Sequence, residues 1–296
     1  MAEPARALRD PVERPEFEHA GIGAANTADV ARPLSLFERL SNVDPVRKFT
    51  VLLSVIVLWE VYTRAANVPP LIFPTFQDTV VALWRGFADY GLGGQIWASM
   101  SLLLTGYAIG LAIGAMLSFI AVSSRFGSDV LGTLTAMLNP LPAIALLPLA
   151  LIWFGLGPKS LVFVLLHSIV WPVALNTHTG FMSVAEPLRM VGRNYGLRNV
   201  RYVAKILIPA AFPSILAGLK LGWAFAWRTL IAAELVFGAA TQGGGLGWFI
   251  FASRNEMDIP GAFAGLLTVI LIGFVVENVI FRNIEQRTVV RWGMHT

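Results

Sequence analysis

The sequence contains no cysteine and few charged residues. The absence of cysteine excludes disulfides, thiolate catalysis and Cys-ligated metal sites. Charged residues make up only 14% of the 296 positions and hydrophobic residues 56%, whereas a soluble domain has roughly 25% charged residues. The apolar residues also form long runs rather than the stripes of a soluble amphipathic helix. We therefore expect an all-α, polytopic membrane protein.

Several chemical signatures are also missing. The lysines and arginines flank the apolar runs and do not form the basic face that nucleic-acid binding requires. The sequence has no His-Glu-x-x-His helix, and no nucleophile–base arrangement is recognisable. We expect no catalytic residue, no metal site and no cofactor in this chain, and no nucleic-acid partner.

The N-terminal region differs in composition from the rest. Residues 1–33 are rich in Pro, Ala, Glu and Arg and predict a disordered cytoplasmic tail, without the apolar core and cleavage site of a signal peptide. Residues 34–48 mix apolar and charged side chains and predict an amphipathic segment at the membrane surface. The membrane domain is expected over residues 49–284, followed by a cytoplasmic tail, 285–296.

Six apolar segments approach the ~20 residues that a helix needs to cross a bilayer. The fifth is too long for one straight crossing, so we expect it to begin at the cytoplasmic surface. The predicted spans are Phe49–Ala66, Ile96–Val122, Val130–Phe154, Ser160–Met182, Ile206–Phe237 and Ala262–Phe281.

The distribution of lysine and arginine predicts the orientation. With both termini inside, twelve of these residues in the short segments flanking the spans lie on the cytoplasmic side and four lie outside. The opposite orientation would reverse the ratio. Because short basic loops remain in the cytoplasm, the sequence predicts an N-in, C-in arrangement.

The third span is interrupted by Pro140, Pro142 and Pro148. Each proline removes a backbone donor and disturbs a helix. Lipid does not tolerate unpaired backbone groups, so a broken helix at this depth must face protein or a water-filled path. The segment indicates a transport pathway rather than a simple membrane anchor.

Two further patterns each have two interpretations. After the capping-box sequence Thr75–Asp78, an amphipathic helix is either a docking platform or a connector resting on the outer membrane surface.

Rows of glycine at four-residue spacing allow close helix packing, either within one subunit or between subunits. The rows are Gly106, Gly110 and Gly114 in the second span, and Gly218 and Gly222 in the fifth.

The loop between the fourth and fifth spans has signals for two short helices. Ser183 and Glu186 form a capping-box pattern, and Gly196 can supply a left-handed stop. Asn199 can cap a second helix that leads toward Pro209. An ordinary basic loop is the alternative, but the loop, about residues 183–205, has no flexible Ser/Gly run.

This loop resembles the EAA signature of prokaryotic ABC-importer permeases. Gly196, Ile206 and Pro209 match the pattern, while Met190-Val191-Gly192 stand in place of Glu-Ala-Ala. Other stretches resemble the nitrate/sulfonate/taurine group of these permeases, although an arginine often found in the second span is absent, with Leu102 near its place. These stretches are Asn139–Pro142, Pro148–Leu149, Trp153–Gly157, Pro209–Pro213, Ala217–Leu219, Ala233–Glu234 and Gly245–Gly247.

The resemblance implies a type I ABC-importer permease in the bacterial inner membrane. Such subunits work in pairs with two cytoplasmic ATPase subunits, which bind ATP and Mg, and with a periplasmic or lipid-anchored solute-binding protein. We expect a homodimer. The residues that the resemblance places in ATPase coupling are Glu186, Arg189, Arg193, Asn194, Tyr195, Gly196 and Leu197.

Ionisable and polar groups within spans are candidates for the solute pathway. Arg228 and Glu234 lie about 240° apart around one helix, so each needs its own partner. Arg228 either faces the pathway or pairs with another helix, for example at Glu277. His167 and His178 share a helix face and serve either helix-to-helix hydrogen bonding or pore lining. The predicted pathway residues are Arg228, Glu234, Asn139, Pro142, His167 and Asn176.

The solute implied by the resemblance is a small anion of the nitrate, sulfonate, taurine or bicarbonate type. An ion-coupled secondary transporter is the alternative, because it also uses broken helices and charges near the midplane. Dependence of uptake on a separate ATPase would distinguish the two.

Overall fold

The computed structural model describes residues 44–237 and 244–294. The chain divides into two compact units between Val57 and Leu58. The tail predicted over 1–33 and most of the amphipathic segment 34–48 lie outside the described residues. Every element in the described ranges is a helix.

The α-helices are numbered in chain order, and several continue into wider or tighter turns. They are α1 (Asp44–Ala65), α2 (Phe76–Ala88), α3 (Leu92–Ser123), α4 (Arg125–Leu138), α5 (Leu147–Phe154), α6 (Pro158–Met182), α7 (Glu186–Asn194), α8 (Asn199–Tyr202), α9 (Ile208–Ala210), α10 (Phe212–Phe237), α11 (Leu246–Asn255), α12 (Ile259–Val275) and α13 (Arg282–Glu285). A 3-10 turn covers Ala143–Leu146, and π-helical turns cover Val203–Leu207, Val276–Phe281 and Gln286–Val290.

Four stretches of helix in the described residues are long and apolar enough to cross a membrane. The first predicted span lies in α1, which carries Lys48, Glu60 and Arg64 and is not among the four. The count of six spans therefore stays a prediction. The four stretches are Leu92–Ser123, Pro158–Met182, Phe212–Val236 and Ile259–Val290.

The predicted third span is broken, as its prolines indicate. Helix α4 and the segment Ala143–Phe154 meet at 86°. Pro142 precedes the 3-10 turn in an extended conformation. Pro148 sits in the first turn of α5, where a missing N–H is tolerated. The prediction of a break at this position is confirmed.

Both glycine rows pack against α6 of the same chain. A Cβ atom on Gly110 would lie 2.7 Å from Ile169, and one on Gly218 would lie 2.9 Å from Asn176. Such approach is possible only without a side chain, so the interpretation of packing within one subunit is confirmed. Along α3 the neighbours of Gly106, Gly110 and Gly114 are, in order, Leu165, Ile169 and Val173.

These contacts also fix the helix directions. Residue numbers rise together along the α3–α6 contact, so the two helices are parallel, whereas Gly222 lies beside Val173 and Gly218 beside Asn176, so α10 is antiparallel to α6. Two parallel spanning helices require the chain between them to return across the membrane. The broken segment α4–α5 therefore makes one crossing.

The connector before α3 has the predicted cap. The Asp78 N–H donates to Thr75 Oγ1 at 3.0 Å, and α2 begins at Phe76. Its apolar face is only partly covered: Thr79 is buried, whereas the Trp84 side chain is 76% exposed. Both interpretations of this helix, platform or connector, stay open.

The loop between α6 and α10 corrects two predicted caps. Ser183 closes α6, and its hydroxyl donates to the Gly180 carbonyl. Helix α7 therefore begins without a side-chain cap, because Ala185 precedes it. Asn199 is also not a cap: it is the first residue of α8, with φ of 50°, and Arg198 precedes it. The stop at Gly196 is confirmed, since its φ is 70°.

The boundary predicted between residues 284 and 285 falls inside a continuous helical run. Glu285 accepts a hydrogen bond from Lys220 Nζ of α10 at 2.7 Å. The Trp292 ring meets Phe212 edge-on, with ring centroids 5.5 Å apart. These contacts hold the C-terminal helix against α10. The end of the membrane domain at residue 284 stays a prediction.

Candidate functional site

A cavity of about 270 Å³ lies where the break in the third span meets α6 and α10. It brings together four of the six predicted pathway residues, which come from three separate parts of the sequence. Its lining residues are Asn139, Pro140, Leu141, Pro142, Ala143, His167, Ser168, Phe225, Arg228 and Thr229.

Arg228 is the charged group of this cavity. Its Nε donates to the Ala224 carbonyl at 3.0 Å, and its guanidinium carbon lies 5.2 Å from the centroid of the Phe225 ring. No described carboxylate, Glu277 included, lies within 4 Å of the guanidinium. The terminal guanidinium nitrogens therefore keep donors that no described residue satisfies.

His167 connects the broken segment to α6. Trp171 Nε1 donates to His167 Nδ1 at 3.2 Å, and His167 Nε2 lies 3.2 Å from the Leu141 carbonyl. An indole N–H can only donate, so Nδ1 accepts and the ring proton lies on Nε2, which donates to Leu141. Trp171 lies on α6 itself and Leu141 lies in the non-helical break, so both interpretations of His167 stay predictions.

Two hydroxyl groups complete the polar wall. Ser168 Oγ and Thr229 Oγ1 lie 2.9 Å apart and join α6 to α10. The sequence reasoning did not select them, although each directly follows a predicted residue, His167 or Arg228. This contact uses one of the two hydroxyl protons, so at most one remains beside the unpaired guanidinium to bind an anion or a polarised oxygen.

Glu234 does not line this cavity, and its predicted place in the pathway stays a prediction. Its side chain is 2% exposed. Ser99 Oγ lies 2.8 Å from both carboxylate oxygens, and the Gly247 N–H donates to Oε2 at 2.8 Å. Since Ser99 and Gly247 come from distant parts of the chain, sequence spacing alone could not reveal this site.

Asn176 also lies outside the cavity. Its side-chain nitrogen donates to the Pro172 carbonyl at 2.8 Å. Its Cβ faces Gly218 across the α6–α10 contact. The residue therefore takes part in helix packing, and its predicted role in the pathway stays a prediction.

His178, the second histidine of this helix face, is only partly enclosed. Its Nε2 atom is buried and has no hydrogen-bond partner among the described residues. Neither interpretation, hydrogen bonding between helices or pore lining, gains support from this position. No group of three or more metal-binding side chains occurs in the described part of the chain.

In the loop between α6 and α10, the predicted coupling residues divide into two sets. Arg189 is turned inward, where it donates to the carbonyls of Val184 and Phe181. The Tyr195 side chain is 81% exposed. The other exposed members are Glu186, Arg193, Asn194 and Gly196, while Leu197 is partly exposed.

Gly192 joins α7 to the following helix. A Cβ atom at this position would lie 2.9 Å from Ile206 and 3.0 Å from Tyr202. Even the methyl group of an alanine would be crowded here, so the packing favours the glycine that this sequence has in place of the last alanine of the EAA pattern.

The comparisons with known proteins agree with this architecture. The family model described as binding-protein-dependent transport system inner membrane component matches residues 78–290. A nitrate import permease protein of Synechocystis is 31% identical over 260 residues, covering 84% of this chain and 90% of the relative. A putative aliphatic sulfonates transport permease protein of Escherichia coli is 25% identical, with 80% and 88% covered. A bicarbonate transport system permease protein of Synechococcus elongatus is 26% identical, with 77% and 84% covered.

Proposed function

This chain belongs to the family of binding-protein-dependent transport system inner membrane components, and from that membership we propose that it forms the solute pathway of an ATP-driven importer. The solute is a small anion. The chain acts as a permease subunit of the bacterial inner membrane and carries no catalytic residue of its own. A solute-binding protein delivers the anion from the outer side.

The observation that carries this proposal is the cavity around Arg228. A guanidinium without a carboxylate partner lies beside the hydroxyls of Ser168 and Thr229, at the one broken crossing of the described chain. Broken helices at membrane depth face protein or water. An unpaired arginine there favours an anion by charge and by its several N–H donors.

The relatives support the solute class. Their names specify nitrate, aliphatic sulfonates and bicarbonate, and each of these solutes carries negative charge on oxygen atoms. A guanidinium can bind such oxygens through paired N–H donors. We therefore propose an oxyanion or organosulfonate as the solute, without choosing among them.

We propose that α7 passes the motion of the ATPase on to the membrane helices. The exposed residues Arg193, Asn194 and Tyr195 lie on this short helix and its end. We assign them to the contact with a separate ATPase, which binds ATP and Mg. Two copies of this chain and two ATPase subunits form the complex. A short helix held by Gly192 and Arg189 passes on a displacement that a loose loop would absorb.

The test is uptake by the assembled complex in proteoliposomes with nitrate, taurine and bicarbonate as probes. We expect Arg228→Gln to lower uptake of the transported anion by about 10-fold or more, because hydrogen bonds to a charged group are lost. Arg254→Gln, an exposed arginine outside the cavity, is the matched control. Unchanged rate and affinity in Arg228→Gln would contradict the pathway role. Full uptake with a hydrolysis-deficient ATPase would favour the secondary transporter instead.

A further inference from the structure

We propose that Glu234 is a positioning residue for transport: it fixes α11 to the adjoining ends of α3 and α10. The contacts that do this, made by Glu234, Ser99, Leu246 and Gly247, are called the carboxylate clasp. By the predicted orientation, the clasp lies toward the outer side. The inference rests on the proposed function, because the effect of the clasp on coupling is measured in the transporting complex.

The clasp joins three separate segments through two polar side chains. Ser99 of α3 accepts a hydrogen bond from the Leu246 N–H at 2.8 Å and donates to the Glu234 carboxylate at 2.8 Å. The same carboxylate accepts from the Gly247 N–H at 2.8 Å. The first two residues of α11 are thus bonded to both neighbouring helices.

The backbone around the carboxylate has no room for side chains. A Cβ atom on Gly245 would overlap the Glu234 carboxylate, and one on Gly247 would lie 2.5 Å from the Glu234 Cβ. The sequence stretches Ala233–Glu234 and Gly245–Gly247 are therefore two halves of one site. The glycines permit the close approach that the carboxylate hydrogen bonds require.

The Glu234 carboxyl group is held without a cation. In the ranges 44–237 and 244–294, no Lys, Arg or His nitrogen lies within 4 Å of it. Its hydrogen-bond donors are the Gly247 N–H at the start of α11 and the Ser99 hydroxyl. Ser99 and Leu246 are fully buried. A rearrangement of α11 would leave these groups unpaired, so the clasp favours one position of α11.

The position of Glu234 on α10 gives the clasp its role in transport. Arg228 lies six residues earlier on the same helix. Lys220 of this helix donates a hydrogen bond to Glu285 of the C-terminal helix. A displacement of α10 therefore moves the cavity residue and α11 together. Without the clasp, α10 could move while α11 stayed behind.

The test uses the complete complex with its ATPase and binding protein. Because the chain has no cysteine, Arg254→Cys provides one labelling site on the exposed side of α11. We compare Glu234→Gln with Glu256→Gln, an exposed carboxylate, and Ser99→Ala with Ser101→Ala, whose hydroxyl donates to the Ala98 carbonyl and to no other residue that the structure describes. The readouts are spin-label mobility at position 254 and the ratio of binding-protein-stimulated to basal ATP hydrolysis.

We expect Glu234→Gln and Ser99→Ala to raise the label mobility and to lower the stimulation ratio about 5-fold or more, the usual range of coupling between sites. The double variant should be no worse than Glu234→Gln alone, since both changes break one unit. The two controls should match the wild type. If the Glu234→Gln variant fails to assemble, the Ser99→Ala variant still tests the clasp, because it keeps the hydrogen bond between Gly247 and Glu234.

Wild-type mobility and wild-type stimulation in both variants would overturn the clasp. So would a loss that follows only the amount of assembled complex, because a purely structural role predicts that result. Absence of ATP-dependent uptake in the wild type would instead contradict the proposed function. The label measurement needs no solute, so the two failures are distinguishable.

Discussion

Arg228 and Glu234 lie on one helix, six residues apart, and their surroundings are opposite. The arginine is exposed in a cavity and makes one side-chain hydrogen bond, to the carbonyl four residues earlier. The glutamate is buried, and both of its oxygens have donors. An ionisable residue within a span is therefore not defined by its charge or depth. The number of its unsatisfied hydrogen-bonding groups decides whether it can receive a ligand or holds the structure.

The largest expected effect is a difference in stability between two single variants, one that removes the Glu234 side chain and one that removes the Arg228 side chain. Glu234→Leu leaves the Gly247 N–H and the Ser99 hydroxyl buried without their acceptor, which costs about 1–3 kcal/mol for each group. Arg228→Leu leaves no buried partner behind and should change stability by about 0.5 kcal/mol or less. Thermal unfolding of the purified chain in detergent measures both. Equal losses in the two variants would contradict the contrast between the two sites.

A smaller effect is expected from two glycine variants, which together distinguish backbone strain from a loss of function. Gly196 and Gly91 both have positive φ, 70° and 62°, and neither has a neighbour within 4 Å of a built Cβ. Alanine at either position should cost about 1–2 kcal/mol in strain. Only Gly196→Ala should also lower ATP-driven uptake, because Gly196 ends the helix proposed to bind the ATPase. Loss of uptake in Gly91→Ala alone would argue against the coupling role of α7.

The smallest expected effect concerns the wall of the Arg228 cavity. Trp171→Phe removes the hydrogen bond to His167, while His167→Ala also removes the bond to Leu141. Within membranes such bonds contribute about 0.6 kcal/mol each, so melting temperatures should fall slightly and in that order. Uptake should decrease more in His167→Ala, because the Pro142 segment loses its bond to α6. The opposite order in uptake would show that the broken segment does not depend on His167.

Local features of the sequence predicted local structure well. The prolines predicted the break, Thr75 predicted the cap of α2, and Gly196 predicted the end of α7. Each of these depends on the conformational limits of one residue or on partners within a single turn. The cap at Ser183 was wrong because α6 runs through to Met182 and Ser183 ends it. The cap at Asn199 was wrong because α8 already begins at Asn199, after Arg198.

The candidate site was predictable only in part, because only some of its features depend on single residues. Polar residues within apolar spans were selected correctly as a class, and the cavity unites four of them. Their division between cavity, clasp and helix packing depends on partners far along the chain. The Ser99–Glu234 contact spans 135 residues, and no spacing rule connects such positions.

The contact between α3 and α6 has a further consequence for movement. The glycines of α3 and the bulky residues of α6 recur at the same interval of four residues. A slip of one interval, about 6 Å, would seat Gly106, Gly110 and Gly114 against Leu161, Leu165 and Ile169. Large side chains would again meet the glycines, but the slip would also break the hydrogen bond that the Ser118 hydroxyl of α3 donates to the Ala174 carbonyl of α6 at 3.0 Å. Helices α3 and α6 are therefore expected to move together as one body.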